Sequence, residues 1–252
     1  LSLVEAPAAR VLNGTGPTPA LLVCEHASRF IPGALQGLGL DAEAACSHAA
    51  WDIGALDLSV ELMGALDAPL VHSRVSRLVY DCNRPPTAHD AIPAKSEVYP
   101  VPGNADLTQD QKDQRARAVY APFRKLLEQT LDARPVPPVL ITIHSFTPTY
   151  KGQPRPVELG ILHDSDDRAA RILLRQAQGS GLNTALNQPY SATDGVTHTL
   201  RTHALPRELA NVMIEVRNDL IDTPAGVSRI AGLLAPMLQN MITELDPQEA
   251  RS

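Results

Sequence analysis

Three apolar runs in this chain of 252 residues end in side chains able to bind a metal or move a proton. The first, Leu21-Leu22-Val23-Cys24, runs into Glu25 and His26. The second, in "PPVLITIHSF", ends at His144, and the third, in "NVMIEVRNDL", at Glu215. In open α/β sheets ligands collect at the carboxyl ends of strands, where side chains distant in sequence converge. Two neutral imidazoles and a carboxylate, with one position left to water, make a usual catalytic zinc set. A further carboxylate nearby can act as general base on that water. Each piece also has a plainer reading. A strand-end histidine can be a satisfied structural or surface residue, Glu215 can pair with Arg217, and Glu25 can mark a strand surfacing into water. Their coincidence is what points to chemistry.

Two other stretches carry reactive types. In "SRLVYDCNRPP" (76–86), Asp81, Asn83 and Arg84 stand where an apolar run enters a long loop. An arginine fork binds a carboxylate through two hydrogen bonds, and a neighbouring Asn can add another. The plain alternative is an Asx-turn before Pro85 with Arg84 solvated. In "SHAAWDIGA" (47–55), His48 and Asp52 are four apart and would share one helical face. They read either as a surface pair beside Trp51, or as Asp52 serving as metal ligand or as the partner that orients one. No GxGxxG, GxxxxGK[ST] or GxSxG occurs, which removes the usual nucleotide and serine-hydrolase readings. Cys24, inside a strand, reads as a small core residue.

The elements that must position these residues follow from periodicity. Strands are expected at 20–24, 69–72 with 75–80, 139–143, 157–162 and 212–216, and helices over 41–66, 108–131, 166–179 and 224–244. Alternating strands and helices predict one layered α/β domain over 1–252 with a largely parallel sheet. Residues 1–19 read as an irregular lead-in. Residues 83–107, rich in proline, form a loop long enough to be functional or mobile. The formal charge of −6 is spread along the chain, with no basic run, so nucleic acid is not an expected partner. Three cysteines without CxxC spacing predict no disulfide framework and a reducing compartment. No export signal is evident and no apolar stretch reaches the ~20 residues that span a bilayer, so the expectation is a cytoplasmic protein without membrane association.

Taken together, "CEHASRFIP", "HAAWDIGA", "SRLVYDCNRPP", "TIHSFTPTYKGQPRPVELGIL", "THTLRTHA" and "VMIEVRNDLI" resemble the N-formylglutamate amidohydrolases, over roughly residues 20–222. Members look like distant cousins of the zinc carboxypeptidases and aspartoacylases. The resemblance implies a three-layer fold of the phosphorylase/hydrolase, zinc-exopeptidase kind, with a mixed, mostly parallel sheet between helices. It implies one zinc ion on His26 and His144, Glu215 activating water with His203 as a second catalytic residue, and an acidic small-molecule substrate held by Arg84 with Asn83, Arg155 and Arg217. The carboxypeptidase-like pattern has a glutamate ligand three residues after the first histidine, and here that place is Arg29. The third ligand must come from elsewhere: Asp52 is preferred and Glu25 is the alternative. The implied reaction is hydrolysis of an N-formyl or N-acyl amino acid. The rivals are a catalytically silent carboxylate-binding protein on the same scaffold and a metal-dependent peptidase.

Overall fold

A computed structural model describes residues 5–246. Along the chain run β1 (Ala9–Leu12), β2 (Ala20–Cys24), α1 (Ala42–Cys46), α2 (Ala55–Leu66) and β3 (Leu70–Ser73). A short hairpin, β4 (Lys95–Ser96) and β5 (Tyr99–Pro100), precedes α3 (Gln109–Arg115) and α4 (Ala121–Asp132). Then come β6 (Val139–Phe146), a second hairpin of β7 (Thr149–Tyr150) and β8 (Gln153–Pro154), and β9 (Leu159–Leu162). α5 (Arg168–Ala177), β10 (Thr184–Leu186), β11 (Asn211–Arg217) and α6 (Pro224–Leu245) complete the order.

Seven strands form one sheet in the order β1-β3-β2-β6-β11-β9-β10. Four of its pairings are parallel, while β1 on β3 and β9 on β11 are antiparallel. The expected mixed, mostly parallel sheet is therefore present. Its strands are apolar on both faces because helices cover both. Leu22, Ile141, Ile143 and Ile214 pack with α2, α5 and α6, and the alternate residues Leu21, Val23, Leu140 and Met213 pack with Phe123 and Leu127 of α4. This two-residue alternation decides where the reactive side chains point. His144 and Glu215 keep the parity of Leu140 and Met213, and they are register partners on adjacent parallel strands.

Three expectations change. The stretch 75–80 forms no strand: Leu78, Val79 and Tyr80 are buried as a looped segment, tied down where Ser76 N–H donates to Phe30 O and Ser76 Oγ to Ala50 O. The helix expected over 41–66 is broken between Cys46 and Ala55. Ser47 Oγ donates to Ala44 O at the first break, and Gly54 makes the second turn at φ +77°, where a Cβ would stand 2.1 Å from Ile221 O. Only glycine fits there. Residues 9–12, read as lead-in, are the edge strand β1.

Among the described residues, no helix is long and apolar enough to cross a membrane.

Candidate active site

The break between α1 and α2 creates the site. It swings Asp52 under the end of β2, where Asp52 N–H donates to His26 O at 3.0 Å. His26 Nδ1, Asp52 Oδ2 and His144 Nδ1 then face one another: His26 to Asp52 is 3.2 Å, His144 to Asp52 is 2.9 Å, and the two nitrogens are 3.2 Å apart. All three residues are buried. Donors on a tetrahedral zinc at about 2.0–2.1 Å stand about 3.3 Å from each other, so this spacing fits such an ion.

Each imidazole turns its other nitrogen to a buried acid. His26 Nε2 lies 2.7 Å from Asp81 Oδ1, and His144 Nε2 stands 3.2 Å from Glu25 Oε2, within ion-pair range though not aligned for a hydrogen bond. Such partners fix the tautomer and aim the ligating nitrogen. Glu25 therefore sits behind His144, on the side away from the triad, and the geometry favours Asp52 over Glu25 as third donor. Arg77 spans the group, with Nη1 donating to Asp52 Oδ1 at 3.1 Å and Nη2 to Asp81 Oδ2 at 2.9 Å.

The charges explain why these groups coexist. Burial pushes the Asp52 and Asp81 carboxyls up, but His26 and Arg77 outweigh it and hold both below the usual range, with His144 adding to the effect on Asp52. Burial likewise opposes ionisation of Glu25, and the facing His144 overcomes it. Burial alone would push both imidazoles down; the acids around them raise both, His144 well above its ordinary value. Glu215 has no such partner. Burial pushes it up to about 7, only partly offset by His144, and its Oε2 has no hydrogen-bond partner. With both imidazoles neutral, the form in which they ligate a metal, the buried carboxylates of Glu25, Asp52 and Asp81 face one arginine, a net negative charge that suits a divalent cation.

A cavity of 160 Å³ opens over this cluster, lined by the triad, Arg77, Glu215 and the aromatic wall Phe146, Tyr150 and Tyr190. Asn83 and Arg84 line it too, but both are largely engaged. Asn83 donates to Val196 O and accepts from Thr199 N–H, and Arg84 donates to Asp90 Oδ2, Asn83 O and Gly195 O. Asp81 Oδ1 also accepts from Asn83 N–H, so the Asx-turn before Pro85 is real. Arg155 stands behind the aromatic wall. Arg217 does not reach the cavity; at the end of β11 it pairs with Asp219 and Glu158. His48 is not on a helical face with Asp52, because the helix is interrupted, and it faces Glu97 at 3.0 Å. Arg29 lies away from the triad, donating to Cys46 Sγ and stacking on Trp51.

His203 is also elsewhere. It is buried in the helical turn Leu200–Ala204, where its charge environment is set by Glu128, Arg124, Arg207 and His198, and it does not line the cavity. Burial pushes its imidazole down to about 4. The unfolded chain, with an ordinary histidine, then binds the proton more readily, so stability is complete above about pH 6.5 and is lost as pH falls towards 4. At pH 4.5 this amounts to about 2–3 kcal/mol. His203→Gln is expected to flatten the acid side of the stability profile by that amount while turnover at neutral pH persists. Denaturant melts from pH 7 to 4.5 check the first part, and a hundredfold loss of turnover would return His203 to the site.

Nothing in the motif pattern marks Arg77 or gives Asp81 a partner role. The available signal was the four-residue spacing of an arginine and an aspartate inside "SRLVYD", which has no meaning until the segment is seen looped beneath β2.

Comparison with other proteins places the chain. A crystal structure of a gene product from Agrobacterium tumefaciens is 47% identical, with a TM-score of 0.92 over 96% of this chain and 97% of that one. The N-formylglutamate amidohydrolase of Ralstonia eutropha shares the fold at 14% identity, with a TM-score of 0.67 over 95% of this chain and 98% of its own. Comparison with curated proteins gives no match. Residues 18–222 match the N-formylglutamate amidohydrolase family, covering every donor of the triad as well as Asp81 and Glu215, and the chain belongs to that family.

Proposed function

We propose that this chain is a zinc-dependent amidohydrolase that cleaves the amide of an N-formyl or N-acyl amino acid, N-formylglutamate among them. The observation that carries the reading is the buried triad of His26, Asp52 and His144 beside an unpartnered Glu215 with a raised pKa. Zinc, when bound, supplies a Lewis acid for the amide carbonyl and makes water more acidic.

The chain's own residues do the rest. His26 and His144 are held by Asp81 and Glu25, and Arg77 occupies Asp52 Oδ1, leaving Oδ2 for the ion. Glu215 Oε2 takes a proton from the attacking water and returns it to the amine nitrogen as the carbon–nitrogen bond breaks, leaving a carboxylate and a free amine. A carboxyl titrating near neutrality suits both transfers. The cavity lies below the 300–1,000 Å³ of drug-sized pockets, which suits a single acylated amino acid.

Turnover of N-formyl-L-glutamate is expected from freshly purified protein, to be lost after exhaustive chelation and restored by one equivalent of zinc. Activity untouched by metal removal overturns the zinc assignment. No activity after reloading leaves a carboxylate-binding protein, and release of amino acids from unblocked dipeptides makes it a peptidase.

A further inference from the structure

The cations around the cavity are not equally balanced. Arg77 is matched by Asp52 and Asp81, and Arg84 by Asp90. Arg155 pairs with no carboxylate among the described residues. Its guanidinium instead lies over three rings, 4.4 Å from the centre of Tyr150, 4.9 Å from Tyr190 and 5.6 Å from Phe146. Its Nη1 donates to Tyr190 Oη at 3.1 Å.

That contact has a directional consequence. A phenol has one proton to give, and here its oxygen already accepts from Arg155. No acceptor among the described residues takes the Tyr190 proton. Burial and the nearby Glu215 push this hydroxyl up to about 12, so it remains a donor throughout the neutral range. All three rings line the cavity that holds Glu215 and the triad, whereas Arg155 stands outside the lining.

The two ends of the cavity therefore differ in how their cations are met. Around the triad, Arg77 is already held by Asp52 and Asp81. At the aromatic wall an uncompensated guanidinium backs a hydroxyl with a free proton, and hydrogen bonds to ionised acceptors are roughly twice as strong as neutral ones. We propose that Tyr190 donates a hydrogen bond to one carboxylate of the substrate, with Arg155 as the positioning residue that polarises and aims it, and that this pair selects acidic amino acids. The inference rests on the reading of the cavity as the site for an acylated amino acid.

The experiment reads binding of unblocked amino acids, so it does not depend on turnover. L-Glutamate, L-glutamine and the α-amide of L-glutamate are titrated calorimetrically into wild-type protein, Tyr190→Phe, Arg155→Met and Arg155→Lys. Wild type is expected to bind L-glutamate best. Tyr190→Phe should weaken L-glutamate on the order of 10- to 100-fold and leave one of the two amides unaffected, which identifies the carboxylate concerned. Arg155→Met should do the same and Arg155→Lys recover part of the loss, a rescue that a packing role for the arginine would not produce. Three results overturn the proposal: no preference for L-glutamate in wild type, no effect of Tyr190→Phe, or equal weakening of all three ligands. If selective binding holds but no N-acyl amino acid is turned over, the anchor stands and the hydrolase reading fails.

Discussion

Glu215→Gln is expected to lower turnover by about 10²–10⁴, the usual value of a general acid–base group, while zinc content stays at the wild-type level. The amide keeps the size and one acceptor oxygen of the side chain but cannot take a proton. Glu215 is outside the 2.9–3.2 Å triad, so the ion loses no donor. Stability provides the control. Arg217, the candidate partner in a structural pair, is bonded to Asp219 and Glu158 instead, so no ion pair breaks. Because burial raises the Glu215 carboxyl to about 7, the folded chain holds that proton more tightly than the unfolded one, and stability falls as pH rises from about 4.5 through 7. The glutamine removes that loss, so at pH 8 the melting temperature should equal or exceed wild type. Zinc content, melting temperature and turnover on one preparation decide the matter. Wild-type turnover removes Glu215 from the chemistry, and a loss of zinc makes it a ligand.

His144→Ala should abolish turnover and metal binding together. Replacing a supporting residue behind a metal ligand typically costs 10–100-fold in metal affinity, and loss of one of three direct donors should exceed that. The apoprotein should also suffer, because Glu25 loses the imidazole that holds it ionised and Asp52 loses one of the groups that do. Removing one partner of a buried ion pair costs about 3–5 kcal/mol. His144→Asn, which keeps a polar group at the site, guards against a variant that simply fails to fold. It should fold better than the alanine variant yet still lack tight zinc. Full zinc and normal turnover in either variant would make His144 a structural residue and dissolve the site.

Much of this arrangement is legible in the sequence. Short β-branched runs bounded by proline and glycine mark strands, and acids and imidazoles at their ends break the apolar pattern at the positions where β2, β6 and β11 stop. What the sequence hid was where the chain between strands would go. Burial and strand pairing leave the same apolar trace, so Leu78-Val79-Tyr80 read as a strand although it is a loop packed into the core. Helical spacing on both sides of residues 47–54 concealed a break that only the steric demand at Gly54 reveals. Alternation correctly puts Arg217 on the face of Glu215, but two residues further along a strand is some 6–7 Å, enough to carry it out of the cavity. "THTLRTHA" holds two histidines, and neither spacing nor type shows that His203 turns under α4.

The three donors that meet within 4.8 Å are 26, 92 and 118 residues apart in the chain. An unfolded polypeptide thus offers no local chelate, unlike a zinc finger whose ligands sit a few residues from one another. Loop closure across such spans precedes the reward of the contact, and here the closure is accomplished by the sheet itself. A cation bound at this place would lower the free energy of the native state by mass action and leave the nucleation barrier as it was. It would slow escape from the native basin without hastening arrival. The protein would be a receptor for its ion, assembled beforehand, and the ion would have no part in directing the assembly.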